Sequence, residues 1–257
     1  MIKQGKVDKL DFIVAGAQKC GTTALHYLLS KKLFIVEEVQ IAMPDKEELH
    51  FFDDEEFFGK EISYEKLHEH FQPSSRAVVA GELTPIYLYW RPAMERIWNY
   101  RKGIKLIILL RDPVERAFSH WNMQREREFE TLDFLDAIKA EEERQRKVAP
   151  LQSRRFSYVA RGLYTEQLER VFKFFPRYLV RVVRHEDLRK HFADTINSIF
   201  GFIGVDSSRT IRNKERNPIR YEREITEEER RKVYPLFEKD IVELESLLDW
   251  NCSDWKR

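Results

Sequence analysis

Apolar residues along this chain fall into two alternating kinds of segment. Short, mostly apolar runs at 12–15, 77–80, 105–110 and 179–183 are bounded by glycine or polar residues, which predicts buried strands. Between and after them, apolar positions recur every three or four residues, as at Ala24, Leu25, Leu28 and Leu29. That period predicts helices over 22–30, 113–127, 131–147, 165–175 and 188–203, and a terminal helix over 226–248. Strands alternating with helices imply an α/β fold with a central, mainly parallel sheet flanked by helices on both faces. No internal repeat interrupts the order, so 1–257 reads as a single domain.

Composition narrows the functional classes. Lysine and arginine number 45 against 44 acidic residues, a formal charge of +1, so no nucleic-acid coat is expected and attraction for an anion must be local. The charged run from Glu141 to Lys147 reads as a solvated helix face. Two cysteines, Cys20 and Cys252, make no disulfide framework, which favours a reducing compartment. No apolar stretch reaches membrane-spanning length and the N-terminal one is too short for a signal peptide, so the expectation is a cytoplasmic protein.

Two strand-to-helix junctions carry the chemistry. In Gly16-Ala17-Gln18-Lys19-Cys20-Gly21-Thr22-Thr23, glycines let the backbone approach a ligand and the opening N–H groups of the helix face an anion. Thr22 and Thr23 add hydroxyls. A nucleotide-triphosphatase P-loop places lysine directly after the last glycine; here Thr22 stands there and Lys19 lies two residues before Gly21. At the second junction, Arg111-Asp112-Pro113-Val114-Glu115-Arg116-Ala117-Phe118-Ser119, Asp112 is an N-cap, Pro113 suits the first helical position and Glu115 completes a box-like pattern. Arg111 and Ser119 together can hold a phosphate. Two anion sites at the carboxyl edge of one parallel sheet suit a nucleotide bearing phosphates at both its 5′ and 3′ ends. A P-loop small-molecule kinase and a noncatalytic nucleotide-binding protein of the same fold are the competing readings.

With these residues on the page, the chain resembles the sulfotransferases that use 3′-phosphoadenosine 5′-phosphosulfate (PAPS), most of all the branch of heparan sulfate N- and O-sulfotransferases and their bacterial relatives. The segment from Gly16 to Leu25 resembles the family's 5′-phosphosulfate loop, and Arg111-Asp112-Pro113 with Ser119 its 3′-phosphate motif. The likeness continues through Glu48-Leu49-His50-Phe51-Phe52-Asp53, Gly81-Glu82-Leu83-Thr84-Pro85-Ile86-Tyr87, Gly162-Leu163-Tyr164 and His185-Glu186-Asp187-Leu188. Relatives often carry lysine before the glutamate matching Glu48, whereas Glu47 stands here and Lys46 is one residue earlier.

The resemblance implies sulfuryl transfer from PAPS to an acceptor hydroxyl, with adenosine 3′,5′-bisphosphate (PAP) as product and no metal. It implies Glu48 as the base, His50 as its rival, and Lys19 on the bridging oxygen. Cys20, Gly21, Thr22, Thr23 and Ala24 would hold the 5′-phosphate, and Arg111 and Ser119 the 3′-phosphate. Gly162 and Tyr164 would shape the turn before a helix, with Tyr164 also a candidate nucleotide contact. The family's late basic loop is matched by Arg212-Asn213-Lys214-Glu215-Arg216-Asn217-Pro218-Ile219-Arg220, with Arg216 the candidate contact. The acceptor class is open; carbohydrate is the one the branch points to.

Overall fold

The computed structural model describes residues 2–3, 5–30, 40–205 and 223–256. The late basic loop with Arg216 lies outside them. By packing, the chain forms two compact units: the described residues of Met1–Leu110 and Val171–Arg216 make one, those of Arg111–Arg170 and Asn217–Arg257 the other.

Among the described residues, the first unit carries all the strands. A short antiparallel pair, β1 (Ile2–Lys3) and β2 (Lys6–Val7), precedes β3 (Phe12–Gly16), β4 (Ile41–Ala42), β5 (Val79–Leu83), β6 (Lys105–Leu110) and β7 (Val180–Arg184). The last five form one wholly parallel sheet in the order β4-β5-β3-β6-β7. Every residue of β3 and β5, and all of β6 after Lys105, is buried, which is why β3 and β6 are apolar runs rather than alternating ones. The helices are α1 (Thr22–Leu29), α2 (Glu55–Phe58), α3 (Glu65–His68), α4 (Ala93–Tyr100), α5 (Pro113–Glu126), α6 (Phe134–Val148), α7 (Tyr164–Phe174), α8 (His185–Lys190), α9 (Phe192–Ile203), α10 (Glu227–Val233) and α11 (Glu238–Leu248). The expected α/β class, a parallel sheet flanked by helices, is what the chain forms.

Several elements differ from the sequence expectation: α6 starts three residues after the expected 131, and α4 was not expected. The strand expected at 77–80 begins two residues later, because the Ala77 N–H closes a turn onto the Ser74 carbonyl, and it runs on through Gly81 and Glu82. The helix expected at 188–203 starts at His185 and breaks at His191, whose backbone (φ −123°, ψ 45°) is not helical. The terminal helix breaks at Tyr234–Leu236, where Pro235 supplies no N–H to an α-helical turn; its start is secured by a reciprocal capping box between Thr226 and Glu229.

Gly81 is required by its neighbour strand. A Cβ placed there would lie 2.3 Å from the ring of Phe12, which is fully buried on β3 opposite it. Gly81→Ala therefore forces the ring or the strand to move, and a loss of about 3 kcal/mol is expected in chemical denaturation.

Candidate active site

Lys19 lies in the loop that links β3 to α1. The Cys20 N–H bonds the Ala17 carbonyl at 3.2 Å, Lys19 takes φ 72° and Gly21 φ 90°, so the chain coils tightly before α1 begins. Gly21 cannot carry a side chain: besides its left-handed backbone, a Cβ would sit 2.8 Å from His185 Cδ2. No side chain caps α1 and no acidic residue occupies its first turn. The opening N–H groups of a helix have no acceptor within the helix, so this one presents donors and the positive end of its dipole to an anion. Thr22 is buried, Thr23 and Ala24 are exposed, and Lys19 is half-buried beside them.

The turn after β5 packs against that loop. Thr84 N–H bonds the Val14 carbonyl at 3.1 Å and Leu88 N–H the Ala15 carbonyl at 2.8 Å. Above this turn lies the segment with both candidate bases. His50 Nε2 is 3.2 Å from Glu48 Oε2, and His50 Nδ1 is 3.1 Å from Asp53 Oδ2. Glu48 and His50 are partly exposed, with side chains at 36% and 44%, while Asp53 is fully buried. The structure thus joins Glu48 and His50 in one carboxylate–imidazole–carboxylate line. The hydrogen bonds it makes to Asp53 and then Glu48 raise the His50 imidazole from 6.5 to about 9, so at neutral pH both ring N–H groups donate to carboxylates. Sequence reasoning quoted Asp53 within a motif and gave it no role; the spacing Glu48-x-His50-x-x-Asp53 was the available signal.

The pH consequence has a definite sign. A histidine raised on folding contributes stability that is complete below 6.5 and lost as pH climbs through about 9. Glu82, raised by burial to about 8, also loses stability with rising pH, but over the lower window that opens at 4.5. The melting temperature is expected to fall between pH 6.5 and 9, and His50→Gln to remove the part of that fall above pH 8; thermal melts across the range check this.

The second junction is built differently. Asp112 caps α5, its Oδ1 accepting from Val114 N–H at 2.8 Å and Glu115 N–H at 3.2 Å. The N-cap expectation holds, but Glu115 does not close the box: its carboxylate accepts from Arg111 Nη2 at 3.2 Å and from Arg230. Arg230, on α10, also donates to Asp112 Oδ2 at 2.8 Å and was missed by sequence reasoning, since 118 residues separate the pair. Because Asp112 already occupies two opening N–H groups, anion binding here must rest on side chains, in contrast to α1. Arg111 is half-buried and Ser119 buried. Tyr164 is fully buried and its hydroxyl donates to the Arg111 carbonyl at 2.9 Å. Asp240 accepts from Tyr164 N–H at 2.7 Å and Thr165 N–H at 3.0 Å, so it pins the start of α7 that bears this tyrosine.

The family model described as "Sulfotransferase domain" matches residues 9–239, a span that includes both of these junctions. The chain belongs to the sulfotransferase family. It is 28% identical over 175 residues to heparan sulfate glucosamine 3-O-sulfotransferase 5 of Homo sapiens, covering 64% of this chain and 44% of that protein. Over 212 residues it is 26% identical to the bifunctional heparan sulfate N-deacetylase/N-sulfotransferase 3 of Homo sapiens, covering 79% of this chain and 23% of that protein. The chain spans less than half the length of these relatives. The crystal structure of a sulfotransferase from Alicyclobacillus acidocaldarius superposes with a TM-score of 0.82 at 27% identity, covering 98% of this chain and 100% of the other.

Proposed function

We propose that this sulfotransferase moves the sulfuryl group of PAPS to a carbohydrate hydroxyl and releases PAP. The observation that carries the reading is the Glu48–His50–Asp53 line in the same compact unit as the uncapped Lys19 loop. The acceptor oxygen forms a bond to sulfur as the bond from sulfur to the bridging oxygen breaks, and the acceptor proton goes to the base. Glu48 is that base. His50 is the weaker candidate, because an imidazolium whose two nitrogens both serve carboxylates has no lone pair for a proton; it instead orients Glu48. Lys19 neutralises charge on the departing oxygen.

Backbone N–H groups of Cys20 to Ala24, with Thr22 and Thr23, take the 5′-phosphate. Arg111 and Ser119 take the 3′-phosphate, Tyr164 serves the nucleotide by bracing the Arg111 backbone, and the family resemblance makes Arg216 a further candidate contact. We read 1–257 as a single domain working in a reducing, cytoplasmic setting; the described cysteines are not joined in a disulfide. Relatives named for heparan sulfate support the carbohydrate class. Among the described residues no helix is long and apolar enough to cross a membrane.

Two measurements test this. Titration with PAP, compared with ATP and magnesium, is expected to show tight binding of the bisphosphate without metal; preference for magnesium-ATP would instead indicate a kinase. Labelled PAPS offered to oligosaccharide, phenolic and lipid hydroxyls is expected to label the oligosaccharides, and label in another class overturns the acceptor assignment.

A further inference from the structure

The line Glu48–His50–Asp53 depends on a backbone that does not hold its own shape. His50 sits at φ 56°, in the left-handed region that non-glycine residues avoid, between two segments with different partners. Four successive backbone donors around it are satisfied by only two side chains. Leu49 N–H and His50 N–H both point to Thr84 Oγ1, at 3.1 and 3.4 Å. Phe51 N–H and Phe52 N–H both point to Tyr87 Oη, at 3.0 and 3.3 Å. Thr84 and Tyr87 lie 34 to 36 residues away, in the turn after β5, and are fully buried.

A threonine hydroxyl has two lone pairs and one proton. Here both lone pairs face N–H groups, so the proton has one remaining use, and it goes to Glu82 Oε2 at 2.7 Å. Glu82 is a carboxyl buried within β5, where most strands of this kind carry an apolar side chain, and it fixes the rotation of the Thr84 hydroxyl. Glu82 therefore fits a role that packing alone would not select for: a buried polar group that orients a hydroxyl, which in turn orients a backbone.

We propose that Thr84 and Tyr87, with Glu82 behind Thr84, are positioning residues for sulfuryl transfer: they hold 49–52 so that Glu48 and Asp53 meet the two nitrogens of His50. The inference rests on the reading of that line as the acceptor-activating group. Fully buried, Thr84 and Tyr87 act through the backbone of the segment bearing the base.

The test is the titration of the His50 ring by NMR in the whole protein saturated with PAP, for Thr84→Val, Thr84→Ser and Tyr87→Phe. In the wild type the ring is expected to titrate near 9, and in Thr84→Val and Tyr87→Phe to move back toward 6.5 as the carboxylates lose register. Thr84→Ser keeps the hydroxyl and is expected to titrate as the wild type does. PAP affinity should stay within about twofold in all three, and kcat should fall about 100-fold in Thr84→Val with little change in the KM for PAPS. The proposal is overturned if Thr84→Val and Tyr87→Phe leave the His50 titration unchanged, or if Thr84→Ser disturbs it as much as Thr84→Val. Should Thr84→Val fail to fold, Tyr87→Phe alone decides. A wild-type ring titrating near 6.5 overturns the underlying reading of the line, an outcome separate from any variant effect.

Discussion

Lys19→Ala is expected to lower kcat roughly 1,000-fold while changing PAP affinity only a few-fold. On the proposed reading the two effects separate because the loop would hold the nucleotide by two means. The uncapped start of α1 and the coil set by Lys19 and Gly21 are backbone features and survive the substitution. The ammonium is a mobile point charge, and its interaction grows only as the bond from sulfur to the bridging oxygen breaks and charge collects there. An interaction stronger in the transition state than in the ground state appears in kcat. Steady-state kinetics with PAPS and a competent acceptor, set beside calorimetric titration of PAP, reads both quantities. A variant with normal kcat and a raised KM would show that Lys19 binds the ground state only, and its assigned role would fall.

The second large effect is at Glu48. Glu48→Gln keeps the volume and an oxygen for His50 Nε2, but cannot accept the acceptor proton, and kcat is expected to fall about 1,000-fold. His50→Gln is expected to cost less, because it removes an orienting cation and leaves the carboxylate in place. The order of the two variants is the discriminating result: a greater loss in His50→Gln than in Glu48→Gln would assign the base to the histidine. Asp53 strengthens the contrast. It is buried and faces His50 Nδ1, the nitrogen remote from Glu48, so Asp53→Asn is expected to follow His50→Gln in its kinetics.

The two phosphate junctions differ in how much of each the chain's local pattern revealed. At Gly16 to Thr23 the glycines, the lysine and the following helix are neighbours along the chain, and turn stereochemistry acts over that distance. The Asp112 cap was visible for the same reason. What Glu115 does was not, because Arg230 competes for its carboxylate from a distant helix. Glu82 escaped as well: a carboxylate beside a glycine interrupts an apolar run, so the pattern placed the strand too early, and only packing shows that the carboxyl is buried within β5. Likewise nothing in the residue types of 48–53 showed that one imidazole faces two carboxylates; only the distances do.

By itself the sequence determined the parallel α/β sheet, the glycine-flanked turn with Lys19 and the capped start of α5. Each follows from hydrophobic period or from the backbone preferences of residues a few positions apart. Only the tertiary structure decided that one histidine stands between two carboxylates and that two hydroxyls from another strand's turn hold it there. Proton affinity and hydrogen-bond pairing are set by which groups packing brings within about 3 Å, and that distance has no counterpart in sequence separation.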